Sequence, residues 1–547
     1  MLMKCPVSNT GCVIDTFFLA VPGPSVTSSF ETSREKSSPT TVPLPDSPQA
    51  RAWRRRRSLS VSLAMLVSAL ALFPLLGHKM LADWDEGIYA EVAREFLGRS
   101  WLVPHWHFQP WFEKPPLGLW LTAIFFRLFG VSEFCARAAS ALASVGIVGI
   151  VHAAALRVRN WKAAWIGTII LLTTFGFLRV ARMGELDALL TLGCCIALWG
   201  LAKVRTGELN GWYWFWTGFA IAAMTKGAAS VTLLLTLAVL LVWNHWSWRQ
   251  LGWPSLGGIC LFAALVLPWH LYMLHSFGRG FLSEYLGLHV IARATTQMEG
   301  HATPWWYYAK VLVTYTSPWL LLFPFALWWQ ARRPKMHIDL REWLAFAAVV
   351  LIFFSVIATR SPKYIFPAYP ALALLTGDWL AAQFENRSRR FVWTAGLVAV
   401  AALGIAPAAT KSLRQSLTST RSTTGAVLHA DREAETLLQT ALAKPDVAGL
   451  PGPILLWQED VVAQLPSLLF KVRRPLQQVY MVSSPDTLHQ ARRYADPEPL
   501  RAFVAPSPKL ILMEKRLAIE IPADMEFHPI AVGKVLEVGT IQLIPKH

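Results

Sequence analysis

Apolar runs long enough to cross a bilayer dominate the pattern along this 547-residue chain, with short polar connections between them. A hydrocarbon core about 30 Å thick needs roughly 20 apolar residues per crossing helix. Runs of this kind lie from Leu59 to Leu76 and near 136–156, 162–181, 187–203, 211–225, 228–243, 252–275, 305–328, 343–359, 364–382 and 391–409. The runs 211–225 and 228–243 are short for spans, and 117–130 is ambiguous. Ahead of the first run lies a tail, 1–57, rich in Ser, Thr and Pro and ending in Arg54, Arg55, Arg56 and Arg57. It lacks the apolar mass to fold. The Arg run has no small-residue cleavage site behind it and more spans follow, so the first run reads as an uncleaved helix. From about 410 onward the pattern changes. Polar helical stretches alternate with short apolar strands such as Ile454 to Trp457, Leu510 to Met513 and Thr540 to Ile544, the pattern of a small α/β domain.

Charge sets the topology. With the N-terminus inside and 117–130 not spanning, the basic clusters all fall on the inner side. They are Arg157 to Lys162, Lys203 with Arg205, Arg249, Arg332 to Lys335 and Arg387 to Arg390. If 117–130 spans, they all face outward. The positive-inside rule therefore lays 117–130 along the outer surface. The outer loops are then 78–135, Ala181 to Glu185, 276–304 and Thr359 to Lys363, and the C-terminal region lies outside. The fold class expected is a polytopic α-helical membrane protein of about eleven transmembrane helices, within a range of about ten to thirteen. It carries an outer-face juxtamembrane helical loop and a small C-terminal soluble α/β domain.

Composition agrees. Charged residues make up 16% of the chain against about 25% in soluble domains, and mean hydropathy is +0.39. The 26 tryptophans suit helix ends at membrane interfaces. A net charge of +17 would point to nucleic acid in a soluble protein. Here Lys and Arg concentrate between apolar runs, where they fix topology, and no nucleic-acid partner is expected. The cysteines form no framework: Cys194, Cys195 and Cys260 lie in apolar runs, Cys5 and Cys12 in the tail, and Cys135 is alone.

The chemistry-bearing residues collect in the outer loops. The first begins Asp83-Trp84-Asp85-Glu86-Gly87-Ile88-Tyr89 and ends Phe112-Glu113-Lys114-Pro115-Pro116-Leu117. Acids beside a membrane exit are costly unless solvated or used. Either they meet water, or one carboxylate near apolar helix ends has a raised pKa suited to a general base. The second turn holds Arg182, Glu185 and Asp187; Asp187 opens a helix, so capping is an equal reading. The third loop carries Glu284, His289, Arg293, Glu299 and His301, with aromatics to Tyr308 that suit interface anchors. The fourth, Thr359-Arg360-Ser361-Pro362-Lys363-Tyr364, puts two basic residues outside against the rule. They either meet a phosphate or snorkel to headgroups. Carboxylates and cations on one face fit transfer from a lipid phosphate. No Gly-rich phosphate loop is present, which argues against nucleotide-powered chemistry. A transporter or lipid flippase, the rival class, would place ionisable residues near helix midplanes and show paired repeats. An envelope-assembly scaffold acting through 410–547 is a third reading.

Several short motifs in order resemble the GT-C glycosyltransferases. They are Asp85-Glu86 with Tyr89-Ala90, Trp101 to Pro104, Glu113 to Leu117, Phe129-Gly130 with Arg137, and Arg182 with Asp187. Further on come Thr225-Lys226-Gly227, Pro268-Trp269, Pro304 to Tyr308, Pro318-Trp319 and Ser361 to Tyr364 with Pro367 and Pro370. The resemblance covers about 80–410 and is strongest to the subgroup related to protein mannosyltransferases and lipid A aminoarabinose transferases.

That resemblance implies inverting transfer of a hexose or pentose from a polyprenyl-phosphate carrier. The acceptor is a lipid, glycan or protein of the envelope, reached at the periplasmic face of a bacterial inner membrane. It puts Asp85 at the essential first-loop acid and Asp187 at the second-loop acid, with Glu86 in the catalytic set. Lys114 and Arg293 match cations that hold the carrier phosphate; Lys363, Tyr89 and Arg182 join the substrate-binding set. No cofactor is required, although Glu113 and His289 match positions that hold a divalent metal in the aminoarabinose branch. The domains expected are a disordered basic tail, 1–57, a GT-C transferase domain, 58–410, and a periplasmic α/β domain, 411–547. Three departures stand out: fewer spans than the aminoarabinose transferases, a tail domain that matches nothing in the family pattern, and a Lys-Pro-Pro-Leu form typical of the broader family.

Overall fold

A computed structural model describes residues 48–82, 85–243, 248–296, 304, 306–332, 340–385, 428–457, 466–480, 498–504, 507–515, 518 and 521–544. The tail before 48, the run 391–409, the cluster Arg387 to Arg390, Glu299 and His301 lie outside these residues. Contacts divide the chain after Arg54, and the helical bundle and C-terminal sheet belong to the unit Arg55–His547.

Among the described residues the apolar runs become helices, and short amphipathic helices join them. They are α1 (Pro48–Leu72), α2 (Asp85–Glu95), α3 (Leu117–Phe129), α4 (Glu133–Val158), α5 (Trp161–Thr173), α6 (Phe175–Ala181), α7 (Asp187–Arg205), α8 (Gly211–Lys226), α9 (Val231–Trp243) and α10 (Trp248–Leu282). Helices Tyr307–Thr316, Phe323–Ala331, Arg341–Val356 and Tyr369–Glu385 come after them. Among the described residues four helical runs are long and apolar enough to cross a membrane, or up to six if each bent pair is one span. Polar side chains mark the starts: Ser132 accepts from the Cys135 amide ahead of α4, and Asn160 from the Ala163 amide ahead of α5.

Two expected spans are not straight. The run 162–181 breaks between α5 and α6 with a bend of 70°. The run 305–328 bends by 117° between Tyr307–Thr316 and the next helix. Pro318, in that second break, has no N–H to continue the ladder. The runs 228–243 and 364–382 each open with a 3₁₀ segment, Gly227–Ser230 and Pro362–Ala368.

Helix ends are tied by charge at the end of the bundle away from α2. There Arg159 pairs with Asp378 at 2.5 Å and Glu385 at 3.0 Å, and Arg205 pairs with Glu342. At the α2 end, Arg182 donates to the carbonyls of Leu72 at 2.6 Å and Pro74 at 2.8 Å. Helix α3 starts beside Lys114 and runs back to α4 at Glu133, whose side chain meets the C-terminal Lys471. Both its ends therefore lie at the α2 end. Its Leu128 and Phe129 are 68% and 69% exposed, an apolar edge suited to an interface.

The C-terminal part builds a six-stranded sheet in the order β5-β4-β3-β6-β8-β7. Its strands are β3 (Ile454–Trp457), β4 (Leu476–Tyr480), β5 (Glu498–Pro499), β6 (Lys509–Glu514), β7 (Met525–Val532) and β8 (Leu536–Leu543). Strands β5, β4, β3 and β6 run parallel, and β8 and β7 are antiparallel additions. β3 is buried along its whole length, as a strand covered on both faces should be. The helix Pro466–Val472 packs this domain onto α2 and α3; Phe470 meets Phe126 with ring centroids 5.8 Å apart.

Candidate active site

Helix starts place the acids. Asp85 is the first residue of α2 and Asp187 the first of α7, where a helix N-terminus favours negative charge. Lys226 is the last residue of α8, where cations are favoured, and α8 packs antiparallel on α7. Lys226 Nζ consequently lies 2.6 Å from Asp187 Oδ2. Lys363, in the 3₁₀ segment Pro362–Ala368, pairs with Asp85 and lies 3.1 Å from Glu185 Oε2. Four separate stretches of sequence thus converge on one cluster of charges.

A framework of hydrogen bonds holds the cluster in place. Arg137 donates to Glu86 from Nε at 2.7 Å and from Nη2 at 2.9 Å. The same guanidinium reaches the carbonyls of Leu76, Lys79 and Met80 at 2.8–2.9 Å. The Gly184 amide donates to Glu86 at 2.7 Å and Ser140 to the Glu185 carbonyl at 2.6 Å. The chain leaving α1, the start of α2 and the turn before α7 are thereby locked to α4.

These contacts correct two expectations. Glu86 is 2% exposed and its carboxylate is taken up by Arg137, Gly184 and the Ala82 amide, so it fastens α2 rather than facing a substrate. Arg182 is engaged by the carbonyls at the end of α1 rather than by the cluster. A third correction concerns Asp85. Burial raises its carboxyl, as expected, but Lys363, Lys226 and Lys114 together outweigh burial and hold it below the usual carboxylate range. Glu185 goes the other way, pushed up by burial despite Lys363.

The remaining expected residues gather nearby. Tyr89 is 4% exposed; burial and the charges of Asp85, Glu113, Asp187 and Glu185 keep its phenol protonated, a donor at any working pH. Burial lowers Lys114 to about 8, with Glu113 pulling against it and Arg293 adding to it. Its Nζ is 3.8 Å from Glu113 Oε2. Arg293 Nη1 is 3.4 Å from the Tyr364 hydroxyl, which ties the third loop to the fourth. His289 Nε2 is 3.8 Å from Glu113 Oε1, and both line a cavity of about 560 Å³ with Glu284 and Ser283. The two donors expected for a metal do meet. Among the described residues no group of three or more His, Cys, Asp or Glu is arranged to hold one, and a zinc-type site takes three or four.

Lys226 and Glu185 are the site residues that sequence reasoning left without a role. The signal for Lys226 was available: the expected topology puts this lysine at the outer end of an apolar run, against the positive-inside trend.

A helical membrane bundle with an acidic first loop, a helix after it and cations converging from later turns is the arrangement that the resemblance to GT-C glycosyltransferases leads one to expect. Residues 113–272 match the family described as dolichyl-phosphate-mannose-protein mannosyltransferase. An undecaprenyl phosphate-alpha-4-amino-4-deoxy-L-arabinose arabinosyl transferase of Pseudomonas fluorescens is 32% identical over 60% of this chain and 62% of its own length. The corresponding transferase of Shewanella sediminis is 30% identical over 61% of each chain. The match thus spans under two thirds of these relatives. The crystal structure of ArnT from Cupriavidus metallidurans bound to undecaprenyl phosphate superposes with a TM-score of 0.65 and 22% identity, over 90% of this chain and 98% of that one. At that identity the likeness is one of fold.

Proposed function

We propose that this protein transfers a sugar from a polyprenyl-phosphate carrier to an envelope acceptor, with inversion at the sugar carbon. The observation that carries the reading is the convergence of Asp85, Glu185 and Asp187 with Lys363, Lys226 and Lys114 at one end of a lipid-embedded bundle. Carboxylates take the acceptor's proton, and cations neutralise the phosphate that leaves. Asp85 is the base or substrate-orienting acid, and Asp187, set by Lys226, supports it. Lys114 and Arg293 hold the phosphate, and Tyr89, four residues after Asp85 on the same helix face, donates to the substrate. Glu113 and His289 remain the pair toward which a divalent metal would be drawn, and the steps above run on the chain's own side chains.

In this reading eleven helices cross a bacterial inner membrane. The transferase domain is 58–410, with the site and an α/β domain, 411–547, on the periplasmic side. The acceptor is lipid A, another glycan or a protein. Two relatives are named for undecaprenyl phosphate-linked aminoarabinose, which makes that donor the first to try. The test is transfer by the purified full-length protein in lipid, from a polyprenyl-phosphate sugar to an envelope extract. Labelled acceptor is expected; correctly folded protein that transfers nothing from any such donor would defeat the reading. Mass spectrometry of envelope components from cells lacking the gene would name sugar and acceptor by a missing mass.

A further inference from the structure

We infer that Lys363 is a positioning residue that occupies Asp85 in the resting site and is handed to the carrier phosphate as the sugar departs. The inference rests on the transferase reading and deepens it by assigning a second role to a lysine expected only to bind phosphate.

The geometry separates this ion pair from the buried pairs Arg137–Glu86 and Arg205–Glu342. Two pairs that fasten the fold are sealed: Arg137–Glu86 leaves 8% and 1% of the side chains exposed, and Arg205–Glu342 leaves 8% and 0%. Lys363 and Asp85 keep 20% and 37%. They are surrounded by protein yet open to the site, so a ligand's charge can compete for the ammonium. Lysine also suits exchange better than arginine, as a compact charge on a flexible stem instead of a planar fork. The backbone beneath it is held: Tyr308 donates to the Ser361 carbonyl at 3.2 Å, and the Tyr364 amide donates to the same carbonyl at 3.1 Å. Movement therefore belongs to the side chain.

Charge balance supplies the reason to move. Facing Asp85 are Lys363, Lys226 and Lys114, the acids Glu185 and Asp187, and the neutral Tyr89. A polyprenyl-phosphate sugar is a phosphodiester with one negative charge. In transfer, the acceptor oxygen forms a bond to the sugar carbon. The bond from that carbon to the phosphate oxygen breaks, and its electron pair stays on the phosphate. The acceptor's proton goes to Asp85. The phosphate gains a charge while Asp85 loses one, so the best place for the Lys363 ammonium shifts from one to the other during the same step. While Lys363 stays on Asp85 the carboxylate is a weak base; once the ammonium leaves, desolvation makes it a stronger one.

Two measurements on the full-length protein in lipid nanodiscs test this. The first uses a hydrophobic carbodiimide, which modifies protonated carboxyls, and reads Asp85 by mass spectrometry between about pH 5 and 8. Wild-type Asp85 is expected to resist, Lys363→Met to be labelled at the acid end, and Lys363→Arg to resist again. Added undecaprenyl phosphate, the leaving group itself, is expected to raise labelling in the wild type toward the Lys363→Met level. Labelling unchanged both by that lipid and by Lys363→Met would overturn the inference.

The second measures sugar transfer. Lys363→Met is expected to lower kcat by about tenfold or more and to move its acid limb up by about a pH unit, with donor KM changed less than about threefold and the limb restored by arginine. A rise in donor KM with an unmoved limb makes Lys363 a phosphate ligand only and refutes the hand-over. If the wild type transfers no sugar while labelling follows the expected pattern, the transferase reading has failed and the hand-over falls with it. Transfer with unchanged labelling sinks the hand-over alone.

Discussion

Asp85 and Glu86 are neighbours in sequence but belong to different structures. Successive residues on a helix are turned by about 100°, so one faces Lys363 and the other faces Arg137. That rotation is why the acidic loop was legible as a site while its membership was not. Lys226 and Glu185 were hidden for a related reason: their partners come from α7 and from the 3₁₀ segment at Pro362, and only packing reveals the pairing. At this scale Arg137→Ala is expected to cost about 3–5 kcal/mol, because it leaves the buried Glu86 charge uncompensated. Thermal unfolding in detergent would read the loss as a fall in Tm. Glu86→Gln with Arg137→Met should cost less than the sum of the single changes, since neither then strands a buried charge.

At the scale of elements, the α7–α8 pair sets the distance between Asp187 and Lys226. A Cβ on Gly200 would lie 2.5 Å from the Gly211 carbonyl oxygen, and one on Gly193 would lie 2.7 Å from that of Gly218. Small residues let the two backbones touch, as in close transmembrane packing. Gly200→Leu is expected to force the helices apart and lower transfer by about tenfold or more, since misplacement of about 1 Å costs up to ~100-fold. Retained transfer would show that this spacing is not critical.

Helix α2 ends at Glu95, whose Oε1 accepts from the Phe108 amide at 3.0 Å. That bond steadies the turn between β1 (His105–Trp106) and β2 (Gln109–Pro110), where His107 and Phe108 have φ of 53° and 67°. Burial pushes Glu95 up to about 7 from an ordinary 4.5, with Glu91 adding to the rise and the Phe108 amide opposing it. Between those values the folded protein binds more protons than the unfolded one, so stability falls as pH rises from about 5 to 7, by at most ~1.4 kcal/mol per unit. Unfolding midpoints across that range should show the slope, and Glu95→Gln should flatten it.

For the whole molecule, the pattern of apolar runs carried the helical membrane class. It did not carry the breaks at 70° and 117°, which depend on local competition for backbone partners. The α/β character of the last quarter was legible from its short apolar strands, but the sheet order was not, because parallel neighbours are set by crossovers distant in sequence. Among the described residues this domain meets the membrane part at α2, α3, the start of α4 and the turn between β1 and β2. Phe470 packs on Phe126, Lys471 pairs with Glu133, and His107 Nε2 accepts from the Leu476 amide at 3.0 Å. Phe470→Ala is expected to loosen that docking by about 3–5 kcal/mol and to speed proteolysis of the C-terminal part. Transfer would then fall through misplacement of α2; undiminished transfer beside rapid proteolysis would show that the domain does not position the site.

In the proposed function Asp85 takes part in sugar transfer from a lipid phosphate. Its most direct test is the rate of transfer from a polyprenyl-phosphate sugar by the full-length protein in nanodiscs, wild type against Asp85→Asn. The account predicts turnover in the wild type and a fall in kcat of about 100-fold or more in the variant, with donor KM within about threefold. Full turnover by Asp85→Asn would contradict it.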